Sequence, residues 1–313
     1  RLSSRRFVLD VHTVTPMTLD DFGAFLMKEP EIFDEHPELY DEVPYARPKE
    51  RKNLPLKRAP YLNAAGELVI PGRPKERGMN YVSDMLIRLR SFYVWLNDSG
   101  FTTNDPFKQY KIAEIVYGTP VYITTEERKQ LAEADMGDDK QLETQRDIFV
   151  FQCMIGCRVS DLYKMTYANI IGGCIEYVPR KTRDDRVVTV SVPLIDAAKE
   201  LIRKYLDETR GTLFPFISEQ KYNVYIKAAF RKAGLTRKVT TIDQRTRQNI
   251  QVPICDLASS HMARRTFIGN VYKSVKDPAI VGAMSGHKDG SRAFARYRDI
   301  DMDIKREAVS VLE

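Results

Sequence analysis

From residue 82 to residue 298 the chain keeps returning to apolar residues spaced three and four apart, and two short β-branched stretches break that rhythm. Spacing of three and four lays a stripe along a helix, whereas alternation of period two lays a face along a strand. The expected class is therefore mainly α with a small antiparallel sheet, an α+β arrangement. The clearest helix carries Val82, Met85, Leu86, Leu89, Phe92, Tyr93 and Leu96 on one stripe, with Arg88 and Arg90 off it and Gly100 as C-terminal cap. Asn104-Asp105-Pro106-Phe107 stops that pattern, and Gly118-Thr119-Pro120 reads as a domain boundary. A new helix opens at Thr124-Thr125-Glu126-Glu127, where a hydroxyl and two acids suit exposed N–H groups. A buried helix is expected over about 144–157, then a hairpin of Cys174–Val178 and Val187–Val192 around the polar turn 183–186. Helices at about 194–209 and 219–233 precede a second hairpin, Val239–Ile242 with Ile250–Ile254. Helices at about 259–274, 278–285 and 290–298 follow it.

A chain of 313 residues suggests two domains, since a domain usually takes about 100–200 residues. They are placed at 1–118, helical, and 119–313, the latter with a C-terminal tail. With 43% hydrophobic and 29% charged residues the chain is of ordinary globular composition, which excludes a disordered or fibrous polymer. No apolar run approaches the roughly 20 residues a bilayer requires, and no apolar core follows Arg1-Leu2-Ser3-Ser4-Arg5-Arg6. Membrane insertion and secretion are not expected. The start at Arg1 rather than Met is read as a processed or truncated beginning. Four cysteines, with no CxxC pair, point to a reducing cytoplasm, and Cys153 and Cys157 read as core packing. With four His and no His/Cys cluster, neither a metal nor any other cofactor is expected.

The net charge is +6, and all of the basic excess falls in residues 121–313, because residues 1–120 hold 17 basic and 17 acidic side chains. Within the first domain the signs segregate: 20–42 holds nine acids and one Lys, and 47–77 holds nine bases and three acids. This is either two solvated faces or a basic arm for a phosphate backbone. The stretch 43–80 is rich in Pro, Lys and Arg and reads as extended, with a short strand at 67–70.

Five short pieces stand out in the second domain: Gly156-Cys157-Arg158-Val159-Ser160-Asp161-Leu162, Arg180-Lys181-Thr182, His261-Met262-Ala263-Arg264, Ser285-Gly286-His287, and Phe294-Ala295-Arg296-Tyr297. Attack on a phosphodiester builds negative charge on the oxygens of a five-coordinate phosphorus, and fixed cations must meet it. Arginine suits this, being always charged and forked to match phosphate oxygens. Arg158 and Arg264 fit that task. Asp161, three residues after Arg158, is expected to hold the fork of Arg158. His261 and Arg264 are neighbours on one helical face, and Arg265 competes with Arg264 by geometry alone.

The order and spacing of these pieces, over about residues 122–300, resemble the tyrosine recombinases of the phage-integrase family. The segment 239–270 is similar in style to integrases of conjugative or mobilizable elements of Bacteroides-type bacteria. The resemblance implies a site-specific DNA recombinase or integrase, a DNA strand transferase whose catalytic residues are Arg158, Lys181, His261, Arg264, His287 and Tyr297. It selects Arg264 over Arg265 and makes Tyr297 the nucleophile. His261 becomes a proton acceptor or hydrogen-bond partner, His287 a second hydrogen bond to the phosphate, and Lys181 the general acid for the departing 5′ oxygen. His287 to Tyr297 is ten positions, one more than the family pattern has, and Tyr272 is the fallback nucleophile if the alignment there fails. The implied reaction is a transesterification through a 3′-phosphotyrosine and a Holliday junction, without ATP or metal. It involves double-stranded DNA sites, a homotetramer, accessory DNA-bending or directionality proteins, and a mobile genetic element in the bacterial cytoplasm near the nucleoid. The first domain, most clearly over 79–107, resembles the family's core-binding half of a DNA clamp. Two further expectations keep the fold: a type IB topoisomerase-like nicking and resealing enzyme, and a catalytically idle DNA-binding regulator. The tail 298–313 docks either on a neighbouring protomer or on its own domain.

Overall fold

The computed structural model describes residues 10–40, 60–62, 68–70, 72–180, 188–243, 245–287, 296 and 309–310. Two compact units emerge, Arg1–Tyr117 with Ile242–Gln248, and Gly118–Thr241 with Asn249–Glu313. A single division at 118 would have left 242–248 in the second unit.

The first unit begins with helix α1 (Pro16–Glu35). Thr15 caps it, its hydroxyl accepting from Thr18 N–H while the Thr18 hydroxyl accepts from Thr15 N–H, and Pro16 takes the first turn, where no N–H is needed. The sequence had given no helix here. The reason is a thin apolar stripe: the buried positions are Leu19, Gly23, Leu26 and Pro30, two of them residue types that ordinarily argue against a helix, in a segment crowded with acids. A 3-10 turn (Pro37–Tyr40) follows, and strands β1 (Tyr61–Leu62) and β2 (Leu68–Val69) pair antiparallel. Helix α2 (Met79–Asp98) covers the expected helix and extends beyond it at both ends. Leu86, Tyr93 and Leu96 pack with Val14, Leu19 and Phe107. Phe92, placed on the buried stripe by spacing, is instead exposed and stacks on Trp95. Gly100 has the left-handed φ of 74° that ends the helix, and Phe101 N–H returns to Leu96 O. Acidic α1 and the basic stretch meet: Arg73 makes a two-pronged pair with Asp34 at 2.8 and 2.7 Å, and Arg77 pairs with Glu29. Arg73 thereby holds the Asp34 carboxyl below its usual range.

The second unit opens with α3 (Thr125–Glu133), whose capping box joins Thr124 and Glu127. Helix α4 (Lys140–Ile155) starts at the Asp139 cap, earlier than expected, and is buried nearly all round. After α5 (Val159–Leu162) and a 3-10 turn (Tyr167–Asn169), β3 (Ile170–Ile171), β4 (Cys174–Tyr177) and β5 (Val190–Pro193) form an antiparallel sheet in that order. The expected hairpin is β4 and β5, with Ile175 opposite Val192 and Tyr177 opposite Val190. Strand β3 was not foreseen, since two residues give no period. Next come α6 (Asp196–Lys204), α7 (Glu219–Lys232), strands β6 (Lys238–Ile242) and β7 (Asn249–Pro253), and α8 (Ile254–Leu257). The chain then forms α9 (Ser260–Val275) and α10 (Pro278–Ser285). Helix α4 packs on α7 and α9, with Phe149 against Phe230 and Phe151 against Phe214.

Buried charges of α4 are paired. Arg146 contacts Asp147 at 2.6 Å and donates to the carbonyls of Leu131, Ala132 and Ala134, finishing the end of α3. Asp147 also accepts from Lys204 and from the Tyr205 hydroxyl. Among the described residues no helix is long and apolar enough to cross a membrane. The expected turn 183–186, the helix 290–298 apart from Arg296, and most of the tail and of the basic stretch lie outside the described residues.

Candidate active site

The site grows from the end of α4. Gly156 stops that helix with a left-handed φ of 66°, and a Cβ there would lie 2.3 Å from a ring carbon of Phe267 on α9. Only glycine satisfies both demands. The turn it makes delivers Arg158 to the start of α5. Arg264, from the middle of α9, is 2% exposed and donates from Nη1 to Gly156 O at 2.8 Å. Both arginines therefore serve one turn of chain.

His287 follows α10, which Gly286 ends with φ 66°. A Cβ on Gly286 would press on Pro179 and Val190, so the close approach sets His287 beside the β4–β5 sheet. Arg264 Nη2 lies 3.3 and 3.4 Å from the two His287 ring nitrogens, and Ser285 Oγ lies 2.8 Å from Nδ1. His261 stands one turn before Arg264 on α9 and keeps a solvent-facing side.

The electrostatics tie these groups together. His287 is lowered to about 3, by burial first, then by the charges of Arg264 and Arg158 and by His261. His261 is lowered to about 4, by loss of water first, then by Arg265, Arg264, Arg158 and Arg296. Because His261 is still open to solvent on one side, its guanidinium neighbours are the sturdier of those causes. Both imidazoles are neutral at pH 7 in the free protein. Any anion bound here would oppose the same cationic field and raise both.

The structure thus brings together Arg158, His261, Arg264 and His287. Arg265 also acts on His261, so the choice between it and Arg264 is made by burial and by the Gly156 contact. Lys181 and Tyr297 lie outside the described residues. Arg296, next to Tyr297 in sequence, donates to Gly118 O. Tyr272, the fallback, lies on α9 among the groups packed against the core.

One expectation is corrected. Asp161 does not hold Arg158: its Oδ1 accepts from Arg180 N–H at 3.0 Å, and no ion pair joins it to Arg158. Arg158 is the extended cap residue of α5 rather than a helical one, so the three-residue spacing does not place the two on one helical face. Arg158 Nη1 and Asp161 Oδ2 are both buried with no hydrogen-bond partner among the described residues. A buried guanidinium N–H makes its strongest hydrogen bonds to anionic oxygens. Sequence reasoning also missed Tyr177 on β4. It is buried within the field of Arg264 and Arg158, its phenol is pushed up chiefly by burial, and its hydroxyl has no hydrogen-bond partner among the described residues. Nothing in the sequence distinguishes it from other strand tyrosines. It lines, with Asp161, Lys164, Asn169 and Arg180, a cavity of about 160 Å³ beside the arginines.

The second unit, mainly helical, gathers two guanidinium and two imidazole groups on one patch. The sequence model of the phage integrase family matches residues 122–303, and the chain belongs to that family, the tyrosine recombinases. It is 25% identical over 229 residues to the tyrosine recombinase XerC of Chlorobaculum parvum, a match that takes in 66% of this chain and spans 65% of that relative's length. In fold it is similar to a lambda integrase dimer bound to a core site, with a TM-score of 0.56, 16% identity, and coverage of 95% of this chain and 85% of the other. It is also similar to the Tn1549 transposon integrase bound to circular intermediate DNA, with a TM-score of 0.58, 12% identity, and coverage of 98% and 88%.

Proposed function

We propose that this chain is a site-specific DNA recombinase that cuts and rejoins double-stranded DNA through a covalent phosphotyrosine at Tyr297. The observation that carries the proposal is the convergence of Arg158, His261, Arg264 and His287 on one patch of the second unit. Arg158 and Arg264 hold the non-bridging oxygens and stabilise the charge that grows there. His261 is neutral at pH 7 and has a lone pair to take the Tyr297 proton, and the phosphate strengthens it as a base by opposing the arginine field. The Tyr297 oxygen attacks phosphorus, the bond to the 5′ oxygen breaks, and Lys181 gives that oxygen its proton. A 5′-hydroxyl from a partner duplex then reverses the steps. One ester replaces another, so no ATP is needed, and the arginines take the part a metal would play.

Two rounds of exchange pass through a Holliday junction in a tetramer, with 1–118 and 119–313 as the halves of a clamp and accessory proteins setting direction. A lambda integrase of similar fold has been seen as a tetramer on such a junction. The natural setting is a mobile element of the Bacteroides-type kind. A suicide DNA substrate, nicked so that the 5′-hydroxyl is lost, tests the nucleophile. The wild-type chain should accumulate a covalent adduct and Tyr297→Phe should not. An adduct with the variant moves the nucleophile to another tyrosine. Relaxation of a plasmid without recombination sites would indicate the topoisomerase-like activity instead.

A further inference from the structure

The contact between Ser285 and His287 decides where a proton sits. Ser285 is fully buried, and its Oγ lies 2.6 Å from Val281 O, 3.4 Å from Gly282 O and 2.8 Å from His287 Nδ1. A hydroxyl has one hydrogen. Two oxygens 2.6 Å apart repel through their lone pairs unless a hydrogen lies between them, and a carbonyl has none to give. The Ser285 hydrogen is therefore committed to Val281 O, and Oγ is left to accept. What it accepts is a hydrogen on Nδ1.

We propose that Ser285 is a positioning residue that holds His287 in the tautomer protonated at Nδ1, leaving Nε2 without a hydrogen. Arg264 Nη2 lies 3.3 Å from Nδ1 and 3.4 Å from Nε2, so it faces both nitrogens alike and the contact with Ser285 is what tells them apart. In the free protein His287 thus steadies the Arg264 fork from one side while Gly156 O steadies it from the other. A consequence follows for the phosphate contact proposed above, and it rests on that proposal. In this tautomer Nε2 has no hydrogen, so His287 donates to a phosphate oxygen only after gaining a proton there. Ser285 accepts from Nδ1–H in either state.

The chain has four histidines, which makes their ring nitrogens separable by ¹⁵N NMR on the full-length, DNA-free protein, with His287→Gln assigning the signal. At pH 7.5 the His287 Nδ1 should carry the hydrogen and Nε2 should show the shift of a bare lone pair. Ser285→Ala should move this signal toward the opposite tautomer or a mixture while the amide spectrum keeps its dispersion. The wild-type spectrum alone settles the matter if Ser285→Ala does not fold: a hydrogen on Nε2 rather than Nδ1 overturns the proposal. So does a folded Ser285→Ala protein whose His287 tautomer is unchanged. Since the spectrum is read without DNA, it stands apart from the Tyr297 experiment. A persistent adduct in Tyr297→Phe moves the nucleophile to another tyrosine and leaves the tautomer standing.

Discussion

At neutral pH both imidazoles of the site are uncharged, and folding is what keeps them so. Burial and then the arginine charges lower His287 to about 3, and His261 falls to about 4 for related reasons. An unfolded histidine takes its proton near pH 6.5. As the pH falls below about 6.5, the unfolded chain therefore binds protons that the folded chain refuses, and stability is lost on the way down to the folded values. The contribution is complete above that range. His287→Gln should flatten the decline in urea midpoint between pH 7.5 and 5, with His261→Gln doing so less because that ring is partly solvated. Equal pH dependence in wild type and His287→Gln contradicts the arginine field described here. A helix fixes which residues share a face, which made His261 legible beside an arginine, while the resemblance and not the geometry chose Arg264 over Arg265. Asp161 was misread by the same rule, applied to an arginine that caps the helix instead of belonging to it.

The element on which the site depends most is the junction of α4 and α5. Gly156 sits there in the left-handed region with Phe267 against its α-carbon, and its carbonyl receives Arg264. Gly156→Ala meets a backbone cost and a packing cost together, which sum to about 3 kcal/mol. The urea midpoint of the variant should fall accordingly, and pairing it with Phe267→Leu, which trims the obstructing ring, should recover part of the loss. Full recovery would assign the whole effect to packing and none to φ. Elements were readable where many residues repeat one signal. Helix α10 matches its expected bounds because Asp277-Pro278 and Gly286 mark both ends. The reading failed where the signal is short or diluted, as in two-residue β3 and in α1, whose buried stripe includes Gly23 and Pro30.

For the whole molecule, the distribution of charge matters more than its sum. The segregated signs of the first unit were compatible with a basic arm or with two solvated faces, yet Arg73 and Arg77 are engaged with Asp34 and Glu29 inside that unit. Sequence could not show this, because the partners are 39 and 48 residues apart and only the fold brings them together. The uncompensated excess lies in 121–313, where Arg180 is exposed and makes no ion pair among the described residues. If DNA is the partner, each lysine or arginine that displaces a counterion from a phosphate adds about 0.9 to the slope of log affinity against log salt. Arg180→Ala should lower that slope by about one such step. Arg73→Ala should leave it unchanged, since breaking the pair with Asp34 removes a charge that was already spent. Fluorescence anisotropy on a labelled duplex across a salt series measures both. An Arg73→Ala slope as shallow as that of Arg180→Ala would mean that the first unit gives up its internal pairs to hold DNA, and the basic stretch would then be an arm after all.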